Sequence, residues 1–106
     1  MTIPDEKFVR DNICAWAKEN SRITKAYLYG SFLTRTTWPP NDIDVAVEIN
    51  DITDETGYTY WLCEGDVLQK ELSQQIKYTV HVEYFSKKTP TIKQGIEAGS
   101  EIIYQR

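Results

Sequence analysis

Two aspartates that flank a single apolar residue are the side chains of this sequence best suited to chemistry. Asp42 and Asp44 lie on either side of Ile43, and the apolar residues Val45 and Val47 follow. Strand side chains alternate between two faces, so both carboxylates point to one face and the apolar residues point to a core. Two neighbouring carboxylates repel each other unless a cation lies between them. Oxygen ligands without a nearby Cys or His favour magnesium or manganese over zinc.

A glycine and a serine precede these aspartates, and ten residues separate Ser31 from Asp42. Gly30 and Ser31 follow an apolar run, ending at Tyr29, that is typical of a buried strand. A turn between a strand and a helix start leaves backbone N–H groups able to bind an anion, phosphate above all. Gly30 allows close approach to the backbone, and Ser31 adds a hydroxyl donor. An anion site beside a divalent-metal site predicts a place for a metal-bound nucleoside triphosphate.

The hydrophobic pattern predicts the elements that position these residues. The stretch Thr2–Asp5 is expected to start a first helix, with Thr2 as its cap, and Asn20-Ser21 is expected to end it. The further predicted elements are strand Ile23–Tyr29, one or two helical turns over Ser31–Arg35, strand Asp42–Ile49, helix Asp54–Ile76 with a break or kink possible at Gly65, strand Thr79–Phe85, helix Thr91–Ala98 and a short fourth strand at Ile102–Tyr104. Alternation along Thr79–Phe85 places His81 and Glu83 on one face. We expect an α/β fold in which helices pack largely on one face of a small mixed β-sheet.

Length and composition favour one globular domain over residues 1–106, with 41% hydrophobic and 26% charged residues. The formal net charge of −4 argues against a protein that wraps long nucleic acid. No apolar run is long enough to cross a membrane, and the N-terminus lacks the pattern of a signal peptide. We therefore expect a cytoplasmic protein, in which Cys14 and Cys63 are reduced thiols.

Gly30-Ser31, ten intervening residues and Asp42-x-Asp44 together resemble the signature of the minimal nucleotidyltransferases (MNT), small members of the DNA polymerase β-like superfamily. The expected order of elements resembles that family over nearly the whole chain. The resemblance implies a polymerase β-like nucleotidyltransferase fold in which Gly30 and Ser31 hold the triphosphate. It also implies that Asp42 and Asp44 bind two magnesium ions. Glu83 would supply the third carboxylate of the site, bind metal with them, and help to deprotonate an acceptor hydroxyl.

The same resemblance implies that AMP is transferred from ATP to an acceptor, with release of pyrophosphate. A chain of this length has no room for an acceptor-binding domain, so the expected acceptor is another protein. Small proteins of this family are typically antitoxins paired with a HEPT-domain toxin, which they are thought to neutralise by adding AMP to a tyrosine. Two alternatives remain open: a non-catalytic binding antitoxin on the same fold, and a nucleotidyltransferase acting on a small molecule or an RNA end.

Three positions differ from the family pattern. Thr34 stands where the family often has Arg, with Arg35 following it, and Thr36 replaces a usual Gly. The third carboxylate is Glu83 rather than the commoner Asp, which places its oxygens one methylene farther from the backbone. The sequence gives no role to Arg35, and these departures keep the non-catalytic alternative open.

Two further residues have competing interpretations. Trp38, in a proline-containing loop, either stacks on a base or covers an edge of the core. His81, the only histidine, either neighbours the substrate or is an ordinary packed or exposed side chain, and the second reading is favoured.

Overall fold

The computed structural model describes residues 5–30, 42–49, 54–86 and 89–106. Within these ranges the chain forms α1 (Glu6–Glu19), β1 (Ile23–Tyr29), β2 (Ile43–Ile49), α2 (Asp54–Ile76), β3 (Val80–Tyr84), α3 (Pro90–Ala98) and β4 (Ser100–Gln105). These elements agree in type and order with those predicted. The helical turns expected at residues 31–35 and the loop that contains Trp38 lie outside the described residues.

The four strands form one mixed sheet in the order β3-β2-β1-β4. Strand β1 pairs antiparallel with β2 and with β4, whereas β2 and β3 are parallel. A parallel pair needs a long crossover connection, and α2 lies within that connection. The fourth strand is longer than the three residues expected, because β4 pairs with β1 from Ser100 to Gln105.

Helix α1 begins later than the sequence suggested. Its N-cap is Asp5, whose carboxylate accepts a hydrogen bond of 2.7 Å from the backbone N–H of Phe8. The expectation that the helix starts at Thr2 is therefore wrong, although Thr2 itself lies outside the described residues. Asp is as good an N-cap as Thr, and here it satisfies a free N–H of the first turn.

One face of the sheet is covered by α1 and α2 and contains the main core. The fully buried members of this core include Trp16, Leu28, Val45 and Leu72. Helix α2 runs without a break through Gly65, where an added Cβ would lie 2.9 Å from Cε2 of Trp61. Gly65 therefore makes room for an indole ring instead of ending the helix. None of the helices in the described ranges is long and apolar enough to span a membrane.

The opposite face of the sheet is covered in part by α3. Ile92 and Ile96 of this helix pack against Tyr27, Tyr29 and Ala46. The expectation that helices lie largely on one face holds for α1 and α2, and α3 is the exception. Because α3 contacts β1 and β4, part of the second face, around β2 and β3, is left for the polar residues.

Candidate functional site

Asp44 lies on the second face of the sheet, between two side chains on neighbouring strands. Its cross-strand partners are Tyr29 on β1 and His81 on β3. Glu83 is in register with Ala46, so it lies on the same face as Asp44, one side-chain position farther along the strands. Residues in register on one face have Cβ atoms about 5 Å apart. The sheet therefore brings Tyr29, Asp44, His81 and Glu83 together.

Gly30 places the backbone of the turn after β1 directly against Asp44. Its φ of 72° lies in the left-handed region that only glycine adopts without cost. A Cβ at this position would lie 2.6 Å from Oδ2 of Asp44, closer than real atoms approach. The predicted phosphate-binding turn and the predicted metal-binding carboxylate are thus in immediate contact. Ser31, the other half of that turn, lies outside the described residues.

Asp42 lies just before β2 and is close to the only histidine of the chain. The distance from its Oδ2 to Nε2 of His81 is 3.4 Å, and both side chains are partly exposed. His81 therefore lies at the site, although the sequence favoured an ordinary packed or exposed side chain for it. Alternation in the third strand already placed His81 on the face of Glu83, and only its contact with Asp42 was missed.

Tyr29 is a member of the site that the sequence did not identify. Burial, followed by the nearby charges of Asp44 and Glu83, raises the pKa of its phenol from 10.0 to about 12. The phenol is therefore within electrostatic range of both carboxylates. At neutral pH it remains protonated and is a hydrogen-bond donor among acceptors. No motif indicated this role, because it depends on the register between β1 and β2.

The arrangement of the carboxylates bears on the predicted metal site. Asp42, Asp44 and Glu83 lie on one face of adjacent strands, but no group of three or more His, Cys, Asp or Glu side chains in the described ranges is arranged to hold a metal ion. The carboxylate oxygens are ligands that suit magnesium, but the expectation of a site without a nearby His is not met, because Nε2 of His81 lies 3.4 Å from Oδ2 of Asp42. The metal and nucleotide roles of these residues stay predictions.

The fold agrees with the family expected from the sequence. A model of the family described as "Polymerase beta, Nucleotidyltransferase" matches residues 11–106, so the chain belongs to this family. The match confirms the family resemblance and the polymerase β-like fold class. No curated protein matches the sequence at a significant level.

Several solved structures of toxin–antitoxin systems are similar to this fold. One is a tri-AMPylated Shewanella oneidensis HEPN toxin in complex with MNT antitoxin, with a TM-score of 0.66, 16% identity and coverage of 96% of this chain and 74% of the other. A toxin–antitoxin with AMP-PNP has a TM-score of 0.66 and 18% identity, with coverage of 92% of this chain and 73% of the other. The toxin–antitoxin MntA-HepT has a TM-score of 0.66 and 16% identity, with coverage of 95% of this chain and 74% of the other. At these identities the similarity establishes the fold.

Proposed function

We propose that this protein is a magnesium-dependent nucleotidyltransferase that transfers AMP from ATP to a protein acceptor, and that the acceptor is a toxin of the HEPT or HEPN type. The observation that carries the proposal is the close approach of the Gly30 backbone to the Asp44 carboxylate, which puts the predicted anion-binding turn beside a predicted metal ligand. The family match supports nucleotidyl transfer. The AMPylated toxin and the AMP-PNP complex among similar structures support the acceptor and the nucleotide.

Each residue of the site has a proposed role in this reaction. Gly30 and Ser31 bind the triphosphate through backbone N–H groups and a hydroxyl. Asp42, Asp44 and Glu83 are the residues that would hold two magnesium ions, which would stabilise charge on the entering and leaving oxygens of an in-line displacement.

The proposed transfer moves one proton to a side chain of this protein, forms one bond to phosphorus and breaks another. Glu83 is exposed and accepts the proton of the acceptor hydroxyl. The acceptor oxygen then bonds to the α-phosphorus, the bond from that phosphorus to the bridging oxygen breaks, and pyrophosphate leaves. Tyr29 remains neutral beside the Asp44 carboxylate. We place the reaction in the cytoplasm, where ATP is available, and in a single domain over residues 1–106.

The test is transfer of label from ATP, in the presence of Mg²⁺, to the product of the adjacent gene, which the proposal expects to be the toxin. Wild-type protein should label the toxin, and Asp44→Asn should not, because the charge that holds the metal is removed while the shape is kept. Asp11→Asn is the matched control, since Asp11 is an exposed carboxylate on α1, on the other side of the sheet. Equal labelling by wild type and Asp44→Asn would contradict the proposal.

A non-catalytic antitoxin is the second candidate function. It is favoured by the finding that the three carboxylates do not gather into a metal cluster in the part of the chain that the structure describes. A toxicity assay in cells distinguishes the two candidate functions. If Asp44→Asn still relieves toxicity in full, neutralisation occurs by binding, whereas loss of both labelling and relief supports the enzyme.

A further inference from the structure

Strand β3 carries two polar side chains on the face of the candidate site, and His81 is the one that lies beside the aspartates. It is in register with Asp44 on β2, whereas Glu83 is in register with Ala46, one side-chain position farther along. Nε2 of His81 also lies 3.4 Å from Oδ2 of Asp42. The imidazole is therefore next to both aspartates that are predicted to bind metal.

The distance between His81 and Asp42 suits two ligands of a single ion. Hydrogen bonds from nitrogen to oxygen are about 2.7–3.2 Å long, shorter than the 3.4 Å between Nε2 and Oδ2. Protein ligands lie about 2.1 Å from a small divalent ion, so two of them on neighbouring coordination positions are about 3.0–3.4 Å apart. The two side chains are 49% and 36% exposed, so an ion can reach them from solvent.

The turn after β1 leaves room on the other side of the aspartates for a bound group. A Cβ at Gly30 would lie 2.6 Å from Oδ2 of Asp44, so backbone and not a side chain faces that carboxylate. In the ranges that the structure describes, no three His, Cys, Asp or Glu side chains are arranged to hold an ion, so the pair of His81 and Asp42 needs further donors. The phosphate oxygens of a nucleotide are donors of this kind.

An imidazole nitrogen changes which ion such a site prefers. Magnesium is a hard cation that takes oxygen ligands, whereas imidazole suits the divalent transition ions of the first row. Manganese shares the carboxylate and water ligands of magnesium and, as a transition ion, also binds nitrogen donors. A position formed by one carboxylate, one imidazole and phosphate oxygens therefore favours manganese over magnesium.

We propose that His81 is a metal ligand through Nε2, together with Asp42, and that the ion position they share prefers Mn²⁺ to Mg²⁺. The inference rests on the proposed function for its nucleotide, and it deepens that function by naming a ligand and the ion of one metal position. Asp44 and Glu83 keep the roles proposed above. His81 is thereby the residue that determines metal specificity.

Pulsed electron paramagnetic resonance of bound Mn²⁺ tests the ligand directly. Because His81 is the only histidine, growth with ¹⁵N-histidine labels a single imidazole in the full chain, prepared without a polyhistidine tag. With Mn²⁺ and AMP-PNP, this protein should show hyperfine coupling to ¹⁵N, which the unlabelled nitrogens of the nucleotide cannot produce. The same protein grown without the label should not show it. Bound Mn²⁺ without ¹⁵N coupling, or no bound Mn²⁺ at all, would overturn the inference.

Two substitutions at this position test the choice of ion by titration with Mn²⁺ and with Mg²⁺ in the presence of AMP-PNP. His81→Gln should bind Mn²⁺ roughly tenfold more weakly or worse, because even changes outside the ligands themselves cost about 10–100-fold in metal affinity. Its affinity for Mg²⁺ should change by about twofold or less, since magnesium does not depend on the nitrogen. His81→Asp supplies an oxygen in place of the nitrogen and should bind metal with the preference shifted to Mg²⁺.

Asp11→Asn, on the other side of the sheet, is the matched control and should bind both ions as the wild type does. Melting temperatures measured without metal check that each variant is folded. Equal Mn²⁺ affinity in wild type and His81→Gln would overturn the inference, and the contact with Asp42 would then be an ordinary surface contact.

The labelling assay separates this inference from the proposed function. Coupling to ¹⁵N without transfer of label would support the metal ligand and contradict the nucleotidyl transfer. Transfer of label by a protein whose bound Mn²⁺ shows no coupling would overturn the ligand and leave the proposed function standing.

Discussion

The contact between Gly30 and Asp44 makes a backbone position part of the site. Gly30→Ala introduces a Cβ at a φ of 72°, where side chains are strained, and 2.6 Å from Oδ2 of Asp44. We expect a loss of about 1–2 kcal/mol in the free energy of unfolding from the backbone strain alone. We also expect ATP affinity to fall by roughly tenfold or more, because the carboxylate must move. Urea unfolding and calorimetric titration with Mg²⁺ and ATP measure the two effects.

Gly99→Ala is the control for this substitution. Gly99 follows α3, has an extended backbone, and would present its Cβ to open space, with nothing within 4 Å. It should leave nucleotide affinity unchanged. A Gly30→Ala protein that binds ATP as tightly as wild type would show that the triphosphate lies elsewhere.

Tyr29 gives the site a dependence on alkaline pH. Its pKa is raised from 10.0 to about 12 in the folded protein, chiefly by burial and then by Asp44 and Glu83. A raised pKa stabilises the fold fully below the unfolded pKa, and that stability is lost as the pH rises through the folded pKa. Wild-type protein should therefore lose stability between about pH 10 and about pH 12, and Tyr29→Phe should lose less over the same interval.

Urea midpoints measured at about pH 9 and about pH 11 check this expectation. At the lower pH neither phenol nor phenyl ring is charged, so the comparison there gives the effect of removing the hydroxyl alone. An identical loss of stability in wild type and Tyr29→Phe at the higher pH would mean that ionisation of Tyr29 does not contribute to that loss. The raised pKa of Tyr27, caused by burial and by its hydrogen bond with Glu48, leaves some alkaline loss in the variant.

Some of these residues could be placed from the sequence, and others could not, for a physical reason. Alternation with a period of two put Asp42 with Asp44, and His81 with Glu83, without knowledge of the fold. The position of Tyr29 opposite Asp44 depends on register between two strands, and the segment between β1 and β2 is too long to fix that register. The cap of α1 was placed wrongly because Thr2 and Asp5 are both good caps, and the local sequence does not choose between them.

At the scale of elements, α3 (Pro90–Ala98) is the helix that bounds the site. Gly95 lies on the ring of Tyr29, where an added Cβ would come within 3.2 Å of Cε2. Gly95→Leu should displace either α3 or Tyr29 and cost about 1–3 kcal/mol of folding free energy, as overpacking does. Nucleotide affinity should fall as well, because Tyr29 is next to Gly30 and Asp44.

Gln94→Leu is the matched control, since Gln94 is the preceding residue of the same helix and is exposed. It should change stability by less than about 0.5 kcal/mol, and ATP binding should be unchanged. Thermal unfolding with and without the nucleotide reports both quantities. If Gly95→Leu is as stable as Gln94→Leu, α3 does not press on Tyr29 in solution.

Element boundaries show the same division between local and remote causes. Strand β1 and helix α2 were predicted at their observed bounds, because their apolar patterns are long and regular. Gly65 alone does not show whether α2 continues, because the space beside it is filled by the ring of Trp61, one turn earlier, which is stacked on Tyr84 of β3. The length of β4 was underestimated because its ends are defined by pairing with β1 and not by their own composition.

At the scale of the whole molecule, nucleotide binding should stabilise the fold. A ligand at one hundred times its dissociation constant adds about 2.7 kcal/mol, which for a chain of this size raises the melting temperature by roughly 10 °C. We expect this shift with Mg²⁺ and ATP together in wild type and in Asp11→Asn. Asp42→Asn combined with Asp44→Asn should abolish the shift. An unchanged shift in that double variant would contradict the metal assignment.

The position of β1 between β2 and β4 has a consequence for how fast this protein folds. Tyr29 pairs with Ser100, and the backbone N–H of Arg106 donates a 2.8 Å hydrogen bond to the carbonyl of Thr24. The loop entropy of joining such distant segments must be lost before their contacts form, so these pairings raise the folding barrier. Until β4 docks, one edge of β1 has unpaired N–H and C=O groups and is open to any other strand. Slow closure of this edge is therefore the step at which a newly made chain is most prone to aggregate.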